Sequence, residues 1–327
     1  MQSLKKHTLW LGPLISLVIT FFLALNGQSN SITLVIAVTS LCAIWWIFEP
    51  IPIPITSLIP LALFSLTGVL SSSQVAQAYG HPLILLLLGG FILSQSMAYS
   101  GAHRRIALLM VNLFGANSAR SLVLGFMVAA ALLSMWVSNT ATTLMLLPVA
   151  LATLEDNKDP KLTIALLLGI AYAANIGGIG TPIGTPPNAL FMSGYSEATG
   201  IPLGFLDWMK WGVPVVILFI PCAMLWITKG LKQQISIKLP SVGQWTTPEI
   251  RVLMVFAVTA LLWITRKQPF GGWSEWTGLT SANDASVALL ACIALFIIPS
   301  GATEKSETNL SNDKHQPSSD NASGRLL

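Results

Sequence analysis

Residues 134–148 read SMWVSNTATTLMLLP. Apolar side chains flank the stretch on both sides. Its centre is Ser138-Asn139-Thr140, with Thr142 and Thr143 just beyond, and no charged residue lies nearby. Whether this stretch crosses a membrane once or turns back inside it decides the fold.

Composition first places the chain in a bilayer. Its 327 residues are 53% hydrophobic and only 9% charged, with a mean hydropathy of +0.70. A soluble domain carries about 25% charged residues. This chain cannot cover a water-facing surface, so it reads as an all-α integral membrane protein. The net charge of +4 is spread over loops. It fits the basic bias of cytoplasmic loops better than a nucleic-acid partner. Cys42, Cys222 and Cys292 lie far apart in apolar segments and read as free, packed thiols. Lys5-Lys6-His7 precedes an apolar run too long for a signal peptide, so the segment reads as a retained first helix.

A membrane span needs about 20 apolar residues. Segments 9–25, 31–49, 53–70, 82–100, 211–228, 249–265 and 285–300 meet that requirement. Two regions do not. One is 118–154, with Ser-Asn-Thr at its middle; the other is 162–195, interrupted by NIGGIGTPIGTPPN.

Loop charges separate the two readings of 118–154. With the N-terminus in the cytoplasm, a single crossing leaves eight Lys and Arg inside and six outside, the C-terminal tail excluded. A hairpin that enters and leaves on one side leaves eleven inside and three outside, namely Lys210, Arg266 and Lys267. Orientation follows the cytoplasmic excess of Lys and Arg, so the hairpin is preferred. From Leu122 to Val137 a helix runs about 24 Å, most of the way into a hydrocarbon core of about 30 Å. The tip is then Ser138-Asn139-Thr140 at membrane depth. GAHRRIALLMVNLFG, 101–115, mixes basic and apolar residues as an interfacial helix does.

The second region follows the same logic. Residues 162–174 form a half-helix. Gly177, Gly178, Gly180 and Gly184 then alternate with Pro182, Pro186 and Pro187, so the helix must unwind and restart near Asn188. Bare backbone at membrane depth is tolerated only where protein or a water-filled cavity satisfies it. Secondary transporters use such breaks to hold ions and to point half-helix N-termini at anionic substrates.

Small polar side chains also glue packed helices, and an isolated Ser-Asn-Thr would read that way. Paired with a break of matching depth, it reads as an ion and substrate site. No acidic residue occurs between Glu49 and Glu155, which disfavours a cationic substrate and a proton relay. Glu49, His81 and His103 read as interfacial residues, and Trp10, Trp45, Trp46, Trp208, Trp211, Trp263, Trp273 and Trp276 as interface anchors. No Gly-x-Ser-x-Gly, metal-ligand histidine pair or Walker loop is present, so the chain reads as no enzyme.

Ser138-Asn139-Thr140 in a cytoplasmic hairpin, GIGTPIGTPPN some 40 residues on, and WWIFEPIPIPITSLIPLALF together resemble the divalent anion:sodium symporter family, over about residues 9–300. The resemblance implies a multi-span helical bundle of two inverted repeats, each with a re-entrant hairpin and a broken helix. It implies Na+-coupled symport of succinate, malate, citrate or sulfate, no cofactor beyond Na+ as coupling ion, and a homodimer with elevator-like movement. By position, Ser134, Ser138, Asn139 and Gly184 would form the first Na+ site. Ser138, Asn139, Thr140, Thr185 and Pro186 would form the anion site.

No second Ser-Asn-Thr and no second Gly-Thr-Pro-Pro follows residue 190. The expectation is therefore the first half of an inverted-repeat transporter fold, incomplete as this chain. Residues 1–302 would form the transmembrane region and 303–327 a disordered polar tail. The chain would sit in the lipid bilayer of a cell membrane, the bacterial inner membrane, as a multi-pass protein with a cytoplasmic N-terminus. The alternatives are an antiporter or efflux relative carrying arsenite or exchanging Na+ for H+, and a non-transporting membrane fragment.

Overall fold

The computed structural model describes residues 2–114, 118–154, 159–231, 243–268 and 270–301; the expected polar tail, 303–327, lies outside them. Among the described residues every regular element is helical apart from an isolated bridge, and six helices are long and apolar enough to cross a membrane. The chain is a multi-pass helical membrane protein. It divides into two compact units, Met1–His81 and Pro82–Leu327.

The first unit holds α1 (Gln2–Leu25), α2 (Asn30–Phe48), α3 (Ile53–Thr56), α4 (Ile59–Leu66) and α5 (Ser72–Tyr79). The first two pack antiparallel. The Trp45 indole donates to the Thr8 carbonyl (3.3 Å) and the Ser16 hydroxyl to the Ala37 carbonyl (2.6 Å). Gly12 makes room for that indole, since a Cβ there would meet it. Glu49 caps α2 in a left-handed conformation (φ 47°) and reaches Lys5 at 3.6 Å. Both ends of this pair are half exposed, so it contributes little. The segment 53–70 is not the continuous span that its hydropathy predicts. It forms two short helices instead, because Pro60 has no N–H to donate back to Thr56 and begins a new helix.

The second unit begins with α6 (Pro82–Ser100) and α7 (Ala102–Phe114), joined at Gly101 in a left-handed conformation (φ 79°). Next come α8 (Ala119–Ser134), α9 (Asn139–Thr153), α10 (Pro160–Gly178), α11 (Pro186–Thr199) and α12 (Phe205–Ile227). The series ends with α13 (Thr247–Ile264), α14 (Gly272–Trp276) and α15 (Asp284–Ile297).

Helix α8 starts cleanly because Ser118 and Ser121 form a reciprocal capping box. It runs parallel to α10: Gly169 faces Val123 and Met127, and further along Gly177 faces Ala131. Both helices therefore enter from the same side, and α9 returns to it. The predicted hairpin is present. Small residues bring the backbones together, as helix packing in lipid requires. Leu122, Phe126, Ala129, Ala130 and Leu133 of α8 are buried against Leu162, Leu166 and Ile170 of α10. The hairpin's first arm is thus shielded by protein, which lets non-helical backbone exist at its tip.

The other core of this unit joins α6, α13 and α15, and two ion pairs fix its ends. At one end Arg105 Nε meets Glu249 Oε1 at 2.8 Å. The same guanidinium donates to the carbonyls of Gly243 and Gln244 and lies over the Trp245 ring. At the other end Arg266 Nε meets Asp284 Oδ1 at 2.6 Å, and Asp284 also accepts the Phe205 N–H. Both pairs are buried. Arg105 is therefore no surface residue of an interfacial helix. Trp263 is no interface anchor either: it is 1% exposed, donates to the Asp284 carbonyl and stacks on Phe205 at 4.5 Å. Cys42 and Cys292 are buried, whereas Cys222 is exposed rather than packed.

Candidate functional site

The site is built where the hairpin tip meets the break in α10–α11. Helix α8 ends at Ser134, and Ser138 begins α9 as its N-cap, its hydroxyl accepting from the Ala141 N–H at 3.3 Å. Helix α10 persists to Gly178, four residues beyond the half-helix expected from sequence, and α11 resumes at Pro186. Prolines at the first turn cost α11 nothing, because those N–H groups have no intrahelical partner.

Across this junction the side chains interlock. The Ser134 hydroxyl donates to Asn139 Oδ1 (2.6 Å), and Asn139 Nδ2 donates to Asn175 Oδ1 (3.1 Å). Asn175 in turn donates to the Ala171 carbonyl one turn earlier. The Thr181 hydroxyl donates to the Met135 carbonyl, tying the break to the tip. Asn188, buried in the first turn of α11, donates to both the Gly178 and Thr181 carbonyls at 2.7 and 2.8 Å. The Trp208 indole donates to the Ile179 carbonyl (2.8 Å), so α12 braces the break as well.

The glycines are there for backbone approach. A Cβ on Gly178 would lie 2.6 Å from Asn139 Oδ1. A Cβ on Gly184 would lie 2.5 Å from the Gly178 carbonyl oxygen and 3.0 Å from that of Ser134. Real Cβ atoms do not come so close, so only glycine lets these carbonyls converge.

Of the residues expected from sequence, Ser134, Asn139 and Gly184 are brought together, with Ser138 adjacent in the chain. Thr140 and Pro186 are exposed and Thr185 is half exposed. Among the described residues no side-chain hydrogen bond joins these three to the cluster; Thr185 meets it through its carbonyl, which accepts the Asn188 N–H at 3.1 Å. Sequence reasoning missed Asn175, Gly178, Thr181 and Asn188 as parts of it. The signal was available, since all four fall within NIGGIGTPIGTPPN.

Chemically, the cluster offers carbonyl, hydroxyl and amide oxygens, the donors a hard cation takes. Among the described residues no group of three or more His, Cys, Asp or Glu side chains converges. The hairpin tip and the break also contain no acid of their own.

A re-entrant hairpin interlocked with a broken helix defines a secondary transporter of the membrane. The citrate transporter family model (CitMHS) matches residues 43–304. The chain is 37% identical over 317 residues to the sodium-dependent dicarboxylate transporters SdcS of Staphylococcus aureus strains USA300 and NCTC 8325, and 36% identical to that of the bovine strain RF122. Each alignment covers 90% of this chain and 60% of the relative. The chain belongs to this family of membrane transporters, of the divalent anion:sodium symporter type, and is no enzyme. It spans about 60% of the length of the curated relatives it matches.

Proposed function

We propose that the chain contributes a sodium site and one end of an anion site to sodium-coupled symport of a dicarboxylate. The observation that carries the reading is the convergence of Ser134, Asn139, Gly178 and Gly184. Sodium would be held by the Ser134 and Gly178 carbonyls and the Asn139 amide oxygen, with Ser138 and Gly184 completing the cage through their backbones. A substrate carboxylate would take the remaining Asn139 N–H and the Thr140 hydroxyl. Thr185 and Pro186 would stand at the N-terminus of α11, whose partial positive charge favours an anion. Ion and substrate share Asn139, so each would favour the other's binding, the physical basis of coupling.

The same reading places the N-terminus in the cytoplasm of a bacterial inner membrane, and two copies would form the homodimer that the resemblance implies. Arg105 meets Glu249 at the start of α13, Arg251 donates to Pro299 O, and Lys161 shares a cleft with Lys229. These contacts support grouping the basic loops on the sides that the hairpin requires.

The test is the thermal stability of the purified chain in sodium chloride against potassium chloride, with and without succinate. Sodium should stabilise, by about 2.7 kcal/mol at a hundredfold excess over Kd, and succinate should add to this only with sodium present. Asn139→Ala should abolish both effects. Equal stability in the two salts would overturn the reading.

A further inference from the structure

Away from the hairpin, a cleft of about 440 Å³ opens between the start of α10 and the end of α12. That volume lies within the range of about 300–1,000 Å³ common to small-molecule sites. Its lining has a graded chemistry. Lys161, in the first turn of α10, and Lys229, just past α12, are both exposed at one end. Below Lys161 the wall continues through Ile164, Leu168 and Tyr172, which recur at helical spacing on one face and are 45–58% exposed. Trp226 stands opposite, 78% exposed, with the Lys229 ammonium 5.8 Å from its ring centre. From Lys161 to Tyr172 the helix rises about 16 Å. That is one leaflet of a hydrocarbon core about 30 Å thick.

We propose that this cleft binds an anionic phospholipid. The phosphodiester sits between Lys161 and Lys229, and one acyl chain lies along Ile164, Leu168 and Tyr172 against Trp226. Two cations at the polar end, with no acidic residue among the described lining residues, select a negative headgroup over a zwitterionic one. The apolar wall, one leaflet deep, selects an esterified lipid over a soluble phosphate. The site stands apart from the hairpin, so its test does not depend on sodium binding.

The experiment reconstitutes the full chain in phosphatidylcholine bilayers containing increasing fractions of phosphatidylglycerol with brominated acyl chains, which quench nearby tryptophans. The Trp226 contribution is the difference between the native chain and Trp226→Phe. It should be quenched at phosphatidylglycerol fractions well below those of brominated phosphatidylcholine needed for the same effect. Lys161→Gln with Lys229→Gln should lower that preference by roughly tenfold or more, whereas the pair changed to Arg should keep it. Equal quenching by the two lipids would overturn the proposal, as would an unchanged preference in the Gln pair. Displacement of the brominated lipid by soluble glycerol 3-phosphate would overturn the lipid as the source of the phosphate.

Discussion

The Ser134 hydroxyl and the Asn139 amide oxygen meet at 2.6 Å across the turn of the hairpin. The hydroxyl could donate or accept, so the orientation of the amide comes from the Ala171 carbonyl, which only accepts: it takes the Asn175 N–H and turns Asn175 Oδ1 toward Asn139 Nδ2. The 3.1 Å bond from Asn139 Nδ2 to Asn175 Oδ1 agrees with that orientation. A side-chain amide has two N–H donors and an oxygen with two lone pairs. One of each is committed within the protein. What remains is one acceptor for a cation and one donor for an anion, on a single side chain.

Asn175 should therefore tune both ligands without being required for folding. Asn175→Ala releases the amide and should weaken sodium and dicarboxylate together. In an Asn139→Ala background it should do nothing further, a coupling that a double-mutant cycle measures. Asn175→Asp keeps the acceptor but adds negative charge. Sodium binding should be retained and dicarboxylate binding should fall at least tenfold, about 1.4 kcal/mol. Independent, additive effects of the two positions would show that the hydrogen bond is incidental.

Two glycine substitutions should separate site from scaffold. In Gly178→Ala the new methyl meets the movable end of the Asn139 side chain. The protein should fold, with sodium-dependent stabilisation lost. In Gly184→Ala the new methyl meets backbone of Gly178 and Ser134, so the break itself must shift. Yield of monodisperse protein should fall as well. Size-exclusion profiles with and without sodium distinguish the two outcomes.

Much of this arrangement was legible in the sequence, because breaks in hydropathy and the sidedness of Lys and Arg are strong constraints in a membrane. The hairpin and the broken helix followed from them, whereas only the family resemblance marks Ser134 and Gly184 as candidate site residues. Local composition does not report long-range pairing. Arg105 looks interfacial beside His103 and Arg104 until Glu249, 144 residues away, neutralises it. Trp263 sits at a span end like an anchor until Asp284 and Phe205 claim it. The broken third span was misread because its apolar content hid Pro60.

Sidedness can be read directly by chemical labelling. In a background lacking Cys42, Cys222 and Cys292, single cysteines replacing Arg120 and Lys161 should react with an impermeant thiol reagent from one face of the membrane. Cysteines replacing Lys210 and Lys267 should react from the other. All four positions are exposed. Labelling of Arg120 and Lys161 from opposite faces would require α8–α9 to cross the membrane once.

The Arg105–Glu249 pair should be expensive to break. Glu249→Ala strands a buried guanidinium and removes the cap on Thr246. Loss of one partner of a buried pair costs about 3–5 kcal/mol. Replacing both residues with Met should recover part of the loss, because packing substitutes for the pair. Thermal unfolding in detergent would rank the variants; a single variant no worse than the double would show that the pair contributes nothing.

His103 should make stability depend on pH. Its Nδ1 lies 2.6 Å from the Met97 carbonyl, and the ring is partly buried at the start of α7. Burial holds the imidazole below its ordinary range. The nearby Arg104 charge pushes the same way, and the Met97 carbonyl opposes both. The folded state then binds fewer protons than the unfolded state below the ordinary histidine value of about 6.5. Stability tracks that difference. The contribution of His103 is fully present above pH 6.5 and is lost as pH falls toward the depressed folded value. His103→Gln cannot titrate yet can still donate to Met97. The fraction of protein surviving a fixed heat step should decline between pH 7 and 5 more steeply in the native chain than in this variant. Parallel curves would mean that the ring titrates alike folded and unfolded.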